Sequence, residues 1–242
     1  MSSAAIPVHV ALVDKSGHVN ATELAEVAGA LNEQVQADVA PAWKVAATVG
    51  AYPQTPVGTW GIELHETINE PGAAGYHADE HGQPYARVAL SDGEWTVSVS
   101  HELIEMIVDP FGSRLHTARR PEGWSGPAVA PRVRYLMEPG DPCERITYEV
   151  GGVKVTDFVL PHFYRSSGAV SDVGYSHMGA VKAPLEILDG GYISFFDPHS
   201  GRAFQRFVTN GQTEDVELPA EGAMHNLREY CDNHARAFRA SP

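Results

Sequence analysis

The sequence predicts an α+β fold in one domain, residues 1–242. Residues 1–110 run strand, helix, three strands and helix, and the rest is β-like, joined by glycine-rich turns and closed by one helix. No repeat, low-complexity tract or clear linker breaks the chain.

Val8–Val13 (VHVALV) is a short apolar run ending at Asp14, and reads as a buried first strand. Asn20-Ala21-Thr22-Glu23 has the spacing of a capping box, and Leu24, Val27, Leu31 and Val35 recur at helical spacing behind it. A helix is therefore expected over residues 21–39, ending before Pro41. Lys44–Val49 and Trp60–His65 read as strands, separated by the turn-rich Tyr52–Gly58. Glu70–Gln83, rich in Gly, Asp and His, reads as a loop, and Tyr85–Leu90 as a further strand. Trp95, Val99, Leu103, Met106 and Ile107 share one face of a helix over 94–108, which Pro110 ends.

Beyond that point Gly112–Pro131 reads as a long surface loop. Arg145–Val150, Val153–Leu160 and Tyr192–Phe196 are strand-like, and Phe204–Thr209 and Val216–Leu218 extend the β-rich part. Glu221–Arg239 carries Met224, Leu227, Cys231, Ala235 and Phe238 on one stripe and is expected to be the closing helix.

Seventeen Lys and Arg stand against 31 Asp and Glu, a net charge of −14, which argues against nucleic acid or an anionic membrane as main partner. Two cysteines, Cys143 and Cys231, are too few for a disulfide framework. The first residues lack a basic segment followed by a long apolar core, and no window approaches the ~20 apolar residues of a membrane span, so a soluble, cytoplasmic protein is expected. Twelve histidines in an acidic chain supply imidazole and carboxylate, the usual zinc donors. There is no Gly-x-Ser-x-Gly elbow, Cys-x-x-Cys pair or phosphate loop.

The chemistry concentrates in Ser100–Pro110 (SHELIEMIVDP). On a helix His101 and Glu105, four residues apart, share a face and can point at one ion. Glu102 lies about 100° around the helix, placed to reach a water on that ion and act as general base. The plain alternative is a solvated His/Glu pair on a core helix.

SHELIEMIVDP resembles the active helix of zincin-type metallopeptidases. The closer likeness is to a variant group of bacterial and phage proteins in which Glu replaces the second metal histidine and Asp-Pro follows. QVQADVAPAW (34–43), GYHADEHGQPYARV (75–88), EPGDPCERITYEVGGVKVTDF (138–158) and Leu160-Pro161 carry the resemblance across residues 6–165. It implies a zincin-like mixed sheet packed on helices, with Tyr85–Leu90 as the edge strand along a cleft that takes an extended peptide. It also implies His101 and Glu105 as metal ligands and Glu102 as base.

Glu at the second ligand position makes the site harder, so neither zinc nor catalysis follows automatically. The third ligand stays open between Asp109, Glu138 and Asp141. Asp109 is eight residues from His101, a rise of about 12 Å on a straight helix, and reaches the ion only if the helix breaks before Pro110. Another arrangement sets Glu105, Asp109, Glu138 and Asp141 around calcium. His77 and His81 read as exposed loop histidines, with a cleft or second-ion role as the alternative. A ligand role for His116 has no support, and His162 and Tyr164 are candidate oxyanion donors. The expected function is metal-dependent hydrolysis of a peptide or protein substrate, with Zn as the cofactor. The rivals are a non-catalytic scaffold that holds a structural Zn or Ca ion and a tailoring enzyme acting on a peptide or small molecule.

Overall fold

In the computed structural model, which describes residues 7–69, 73–165 and 174–218, the run VHVALV forms β1 (Val8–Asp14). Its Val10–Val13 are all buried, as befits a strand flanked by parallel neighbours. β1 pairs parallel with β2 (Ala47–Ala51) on one side and β3 (Trp60–His65) on the other. β5 (Gln83–Ala89) adds parallel to β3, and β4 (Gly75–Glu80) closes the sheet antiparallel to β5, in the order β2-β1-β3-β5-β4.

β4 lies inside the stretch expected to be a loop, and it takes the edge expected for Tyr85–Leu90. The loop reading failed because Gly75, His77 and Asp79 occupy alternate positions where a buried strand face would carry apolar side chains. β5 is interior, consistent with buried Ala86 and Val88.

Helix α1 (Ala21–Gln34) starts at Asn20, whose Oδ1 accepts from the backbone N–H groups of Thr22 and Glu23 at 3.1 and 3.0 Å, a cap that contributes about 1 kcal/mol. The chain does not stop before Pro41. It widens into a π turn (Val35–Val39) and continues as α2 (Ala40–Trp43), with Pro41 in the first turn. Pro41 has no N–H to donate into the preceding turn, and the π turn before it, in which the Ala40 N–H donates to the Val35 carbonyl, accommodates the missing bond. Lys44, in the left-handed region at φ 58°, ends the segment, and its N–H donates to the carbonyl of Ala40. Helix α3 (Trp95–Val108) buries Val99, Leu103, Ile104 and Met106.

The described residues fall into two compact units. The first takes the described residues of Met1–Pro110 with Thr147–Thr156, the second those of Phe111–Ile146 with Asp157–Pro242. The hairpin β8 (Thr147–Val150)–β9 (Val153–Thr156), turned on Gly151-Gly152 with both φ positive, thus belongs with the first unit although it follows Pro110 by many residues. β9 ends at Thr156 rather than Leu160; beyond it Val159 pairs with Ser176 in an isolated bridge.

The second unit holds an antiparallel sheet of β6 (Leu115–Arg119), β7 (Arg132–Leu136), β10 (Tyr192–Asp197), β11 (Arg202–Thr209) and β12 (Gln212–Glu217), in the order β12-β11-β10-β7-β6. β6 lies within the expected Gly112–Pro131 loop; its LHTAR sequence has too few apolar residues to show alternation. Trp124 packs edge-on against Phe195 and Phe204, at 5.1 and 5.6 Å between ring centroids, with Arg206 over its face. The expected helix Glu221–Arg239, with Cys231, lies outside the described residues. The fold is mixed α+β with several sheets, and no helix among the described residues is long and apolar enough to cross a membrane.

Candidate functional site

Four ionisable side chains converge in the first unit, three from α3 and one from β4. His101 Nε2 lies 3.3 Å from Glu105 Oε2, the pairing expected one helical turn apart. His77 Nδ1 on β4 lies 3.1 Å from Glu102 Oε2 and 4.0 Å from Glu105 Oε2. All but one are deeply buried: the side chains of His77, Glu102 and Glu105 are 0 %, 9 % and 5 % exposed, that of His101 14 %. Buried charges of this kind persist only when paired or holding a metal.

The position of α3 is set one residue before His101. Ser100 Oγ donates to Gln34 Oε1 on α1 at 2.8 Å and accepts from the Thr156 N–H on β9 at 3.2 Å. Gln34 Nε2 donates to the Thr156 carbonyl and to Tyr148 Oη, and Tyr148 Oη donates to Asp38 Oδ2. This buried network ties α1, α3 and the β8–β9 hairpin together and fixes the roll of α3. No sequence motif marks it, because its members are spread from residue 34 to residue 156.

β4 is shaped to receive Glu102. A Cβ on Gly75 would lie 2.9 Å from Glu102 Cγ and 3.0 Å from its Oε1, so only glycine leaves that carboxylate its place. His77, two residues along, projects from the same face. The exposed-loop expectation for His77 is therefore overturned: it is buried on a strand and reaches the motif helix. His81 sits at the β4–β5 turn with φ 55° and a side chain 91 % exposed, away from the group.

α3 ends at Val108. Asp109 leaves the helical region (φ −132°, ψ 72°), as the residue before a proline prefers, while its N–H still donates to the Glu105 carbonyl at 2.7 Å. Its side chain is buried, but among the described residues it is not gathered with Glu105 and an imidazole at the spacing a shared ion needs.

Glu138 and Asp141 are buried in the second unit, after β7 and at the start of a 3₁₀ turn (Asp141–Cys143). Tyr164 Oη donates to the Glu138 carbonyl at 3.0 Å, and that bond takes the hydroxyl proton an oxyanion donor would need. His162 Nε2 lies 2.8 Å from the Gly174 carbonyl, its ring against Tyr175. Half-buried His116 lies beside the Tyr164 ring; burial, then Arg165 and Arg132, holds it below the usual histidine range.

The His101–Glu105 pair passes a geometric test for a metal. Two donors at about 2.0–2.1 Å from a four-coordinate ion stand about 3.3–3.4 Å apart, matching the 3.3 Å observed. Mixed imidazole and carboxylate donors suit zinc and harder divalent ions alike. In comparison with known proteins, no family model, curated protein or solved structure matches the chain.

Proposed function

We propose that the first unit carries a metal-dependent hydrolytic site, acting on a peptide bond, in a zincin-like arrangement of sheet and helix. The supporting observation is the convergence of His101, Glu105 and Glu102 on one turn of α3, with the first two at ligand-pair spacing. His101 and Glu105 would hold the ion, zinc being the cofactor proposed. A divalent ion in that position supplies Lewis acidity, lowering the pKa of a bound water and polarising a carbonyl. Glu102 takes a proton from the attacking water and returns it to the leaving amine. An extended substrate would lie along β4, the edge strand, whose outer main-chain groups offer β-augmentation.

The test begins with metal analysis of protein purified without chelator or histidine tag, followed by digestion of a peptide library. The reading expects about one transition metal per chain and cleavage that a chelator abolishes. It also expects Glu102→Gln to keep the metal and lose turnover. If Glu102→Gln cleaves as fast as the wild-type chain, the mechanism is wrong. If His101→Ala and Glu105→Ala bind metal as tightly as wild type, the ligand assignment is wrong and the 3.3 Å contact is a plain ion pair.

A further inference from the structure

We propose that His77 is a positioning residue that holds Glu102 in the orientation a base needs, an inference that rests on the hydrolytic reading above. Helix pitch sets Glu105 on the His101 face and Glu102 about 100° around from it, but it does not set the rotamer in which Glu102 is held. His77 Nδ1 lies 3.1 Å from Glu102 Oε2, and in the hydrolytic reading Glu102, as the base, is the acceptor and Nδ1–H the donor. The same nitrogen is 4.0 Å from Glu105 Oε2, beyond hydrogen-bond range. The single Nδ1 proton therefore selects Glu102, while Glu105 faces His101 at 3.3 Å.

Strand geometry makes this selection rigid. His77 is an interior residue of β4, paired in register with Ala86 of β5, and its side chain is fully buried. Gly75, on the same face, leaves the space that Glu102 Cγ and Oε1 fill. A free glutamate has three rotatable side-chain bonds and much rotamer entropy to lose. Here a glycine gap and an imidazole donor hold one rotamer before substrate arrives, the preorganisation that proton transfer rewards. The helix motif supplies the glutamate, and a strand about 25 residues earlier aims it.

The full-length chain tests this with His77→Ala, His77→Asn and Glu102→Gln. The Asn amide nitrogen takes the place of Nδ1 and retains a donor, so it is the rescuing substitution. Cobalt(II) titration by absorption, peptide-library cleavage and thermal melts of metal-free protein are the readouts. His77→Ala is expected to bind cobalt like wild type, lose about 10–100-fold in kcat at unchanged KM, and recover most of that loss as His77→Asn. In metal-free melts, His77→Ala and Glu102→Gln are expected to be non-additive, because the residues touch.

Wild-type turnover in His77→Ala overturns the positioning role and leaves the hydrolytic reading intact. Parallel loss of cobalt and activity in both His77 variants overturns it too, making His77 a ligand. Additive melts overturn the contact itself, whatever the chain hydrolyses. A wild-type chain that binds no cobalt and cleaves no peptide overturns the hydrolytic reading, and this inference with it.

Discussion

Replacing Gly75 by alanine tests the packing of β4 against α3 at one atom. The new Cβ would stand 2.9 Å from Glu102 Cγ, 3.0 Å from its Oε1 and 3.2 Å from Val88 Cγ2, whereas carbon atoms prefer about 3.5–4.0 Å. Gly75 is not at positive φ, so backbone strain adds nothing and the cost is steric. Overpacking of this kind costs about 1–3 kcal/mol, offset by about 0.4–1 kcal/mol because alanine restricts the unfolded chain. The net is roughly 1–2 kcal/mol, or about 2–8 °C in Tm for a chain of this size. Relief requires Glu102 to move away from β4, stretching its 3.1 Å contact with His77. The assay pairs a thermal melt with peptide cleavage, and uses Gly29→Ala as the matched control. Gly29 lies exposed in α1 with nothing within 4 Å of its added Cβ, so alanine there should stabilise by about 1 kcal/mol. If Gly75→Ala melts at or above wild type with cleavage intact, the described fit of Glu102 against β4 is refuted.

Three other perturbations follow from named contacts. Ser100→Ala removes the hydroxyl shared by Gln34 and the Thr156 N–H, and should cost about 2–3 kcal/mol in chemical denaturation, whereas Ser100→Thr should retain part of it. In the second unit Asp215→Asn weakens the buried pair with Arg206, whose two contacts are 2.6 and 2.8 Å, and should cost about 3 kcal/mol in urea unfolding. Burial alone would raise the Asp215 carboxyl, but hydrogen bonds from Arg206 and Ser125 outweigh it and hold the group below the usual carboxylate range. A depressed carboxylate contributes stability that is fully present above its unfolded value, about 3.9, and is lost as pH falls through the lower folded value. Acid unfolding followed by tryptophan fluorescence should therefore show that loss below about pH 4 in wild type and a smaller one in Asp215→Asn. Finally, zinc at 100 times its Kd should stabilise the wild-type chain by about 2.7 kcal/mol and leave the Tm of His101→Ala unmoved.

The elements legible in the sequence are those whose burial leaves a periodic trace. β1 reads from a short, mostly apolar run, α1 from a cap and a stripe at helical spacing, and α3 from Val99, Leu103 and Met106. The pairing of His101 with Glu105 needed only the pitch of a helix, so the four-residue spacing carried it. β4 left no such trace, because the face it turns to α3 holds a glycine and a histidine instead of valines and leucines. The run through Pro41 was hidden too, since a π turn relocates the proline to a first turn and only backbone geometry records that.

Local order along the chain thus determined the motif helix, its three ionisable groups and the α+β class, since each depends on interactions a few residues long. Tertiary structure alone decided that β4 and not β5 forms the sheet edge, that Ser100 is clamped by Gln34 and Thr156, and that His77 meets Glu102. Those side-chain contacts join residues 25 to 66 positions apart. The hydrogen bonds that make them depend on where strands and helices pack, and no spacing rule along one chain encodes that.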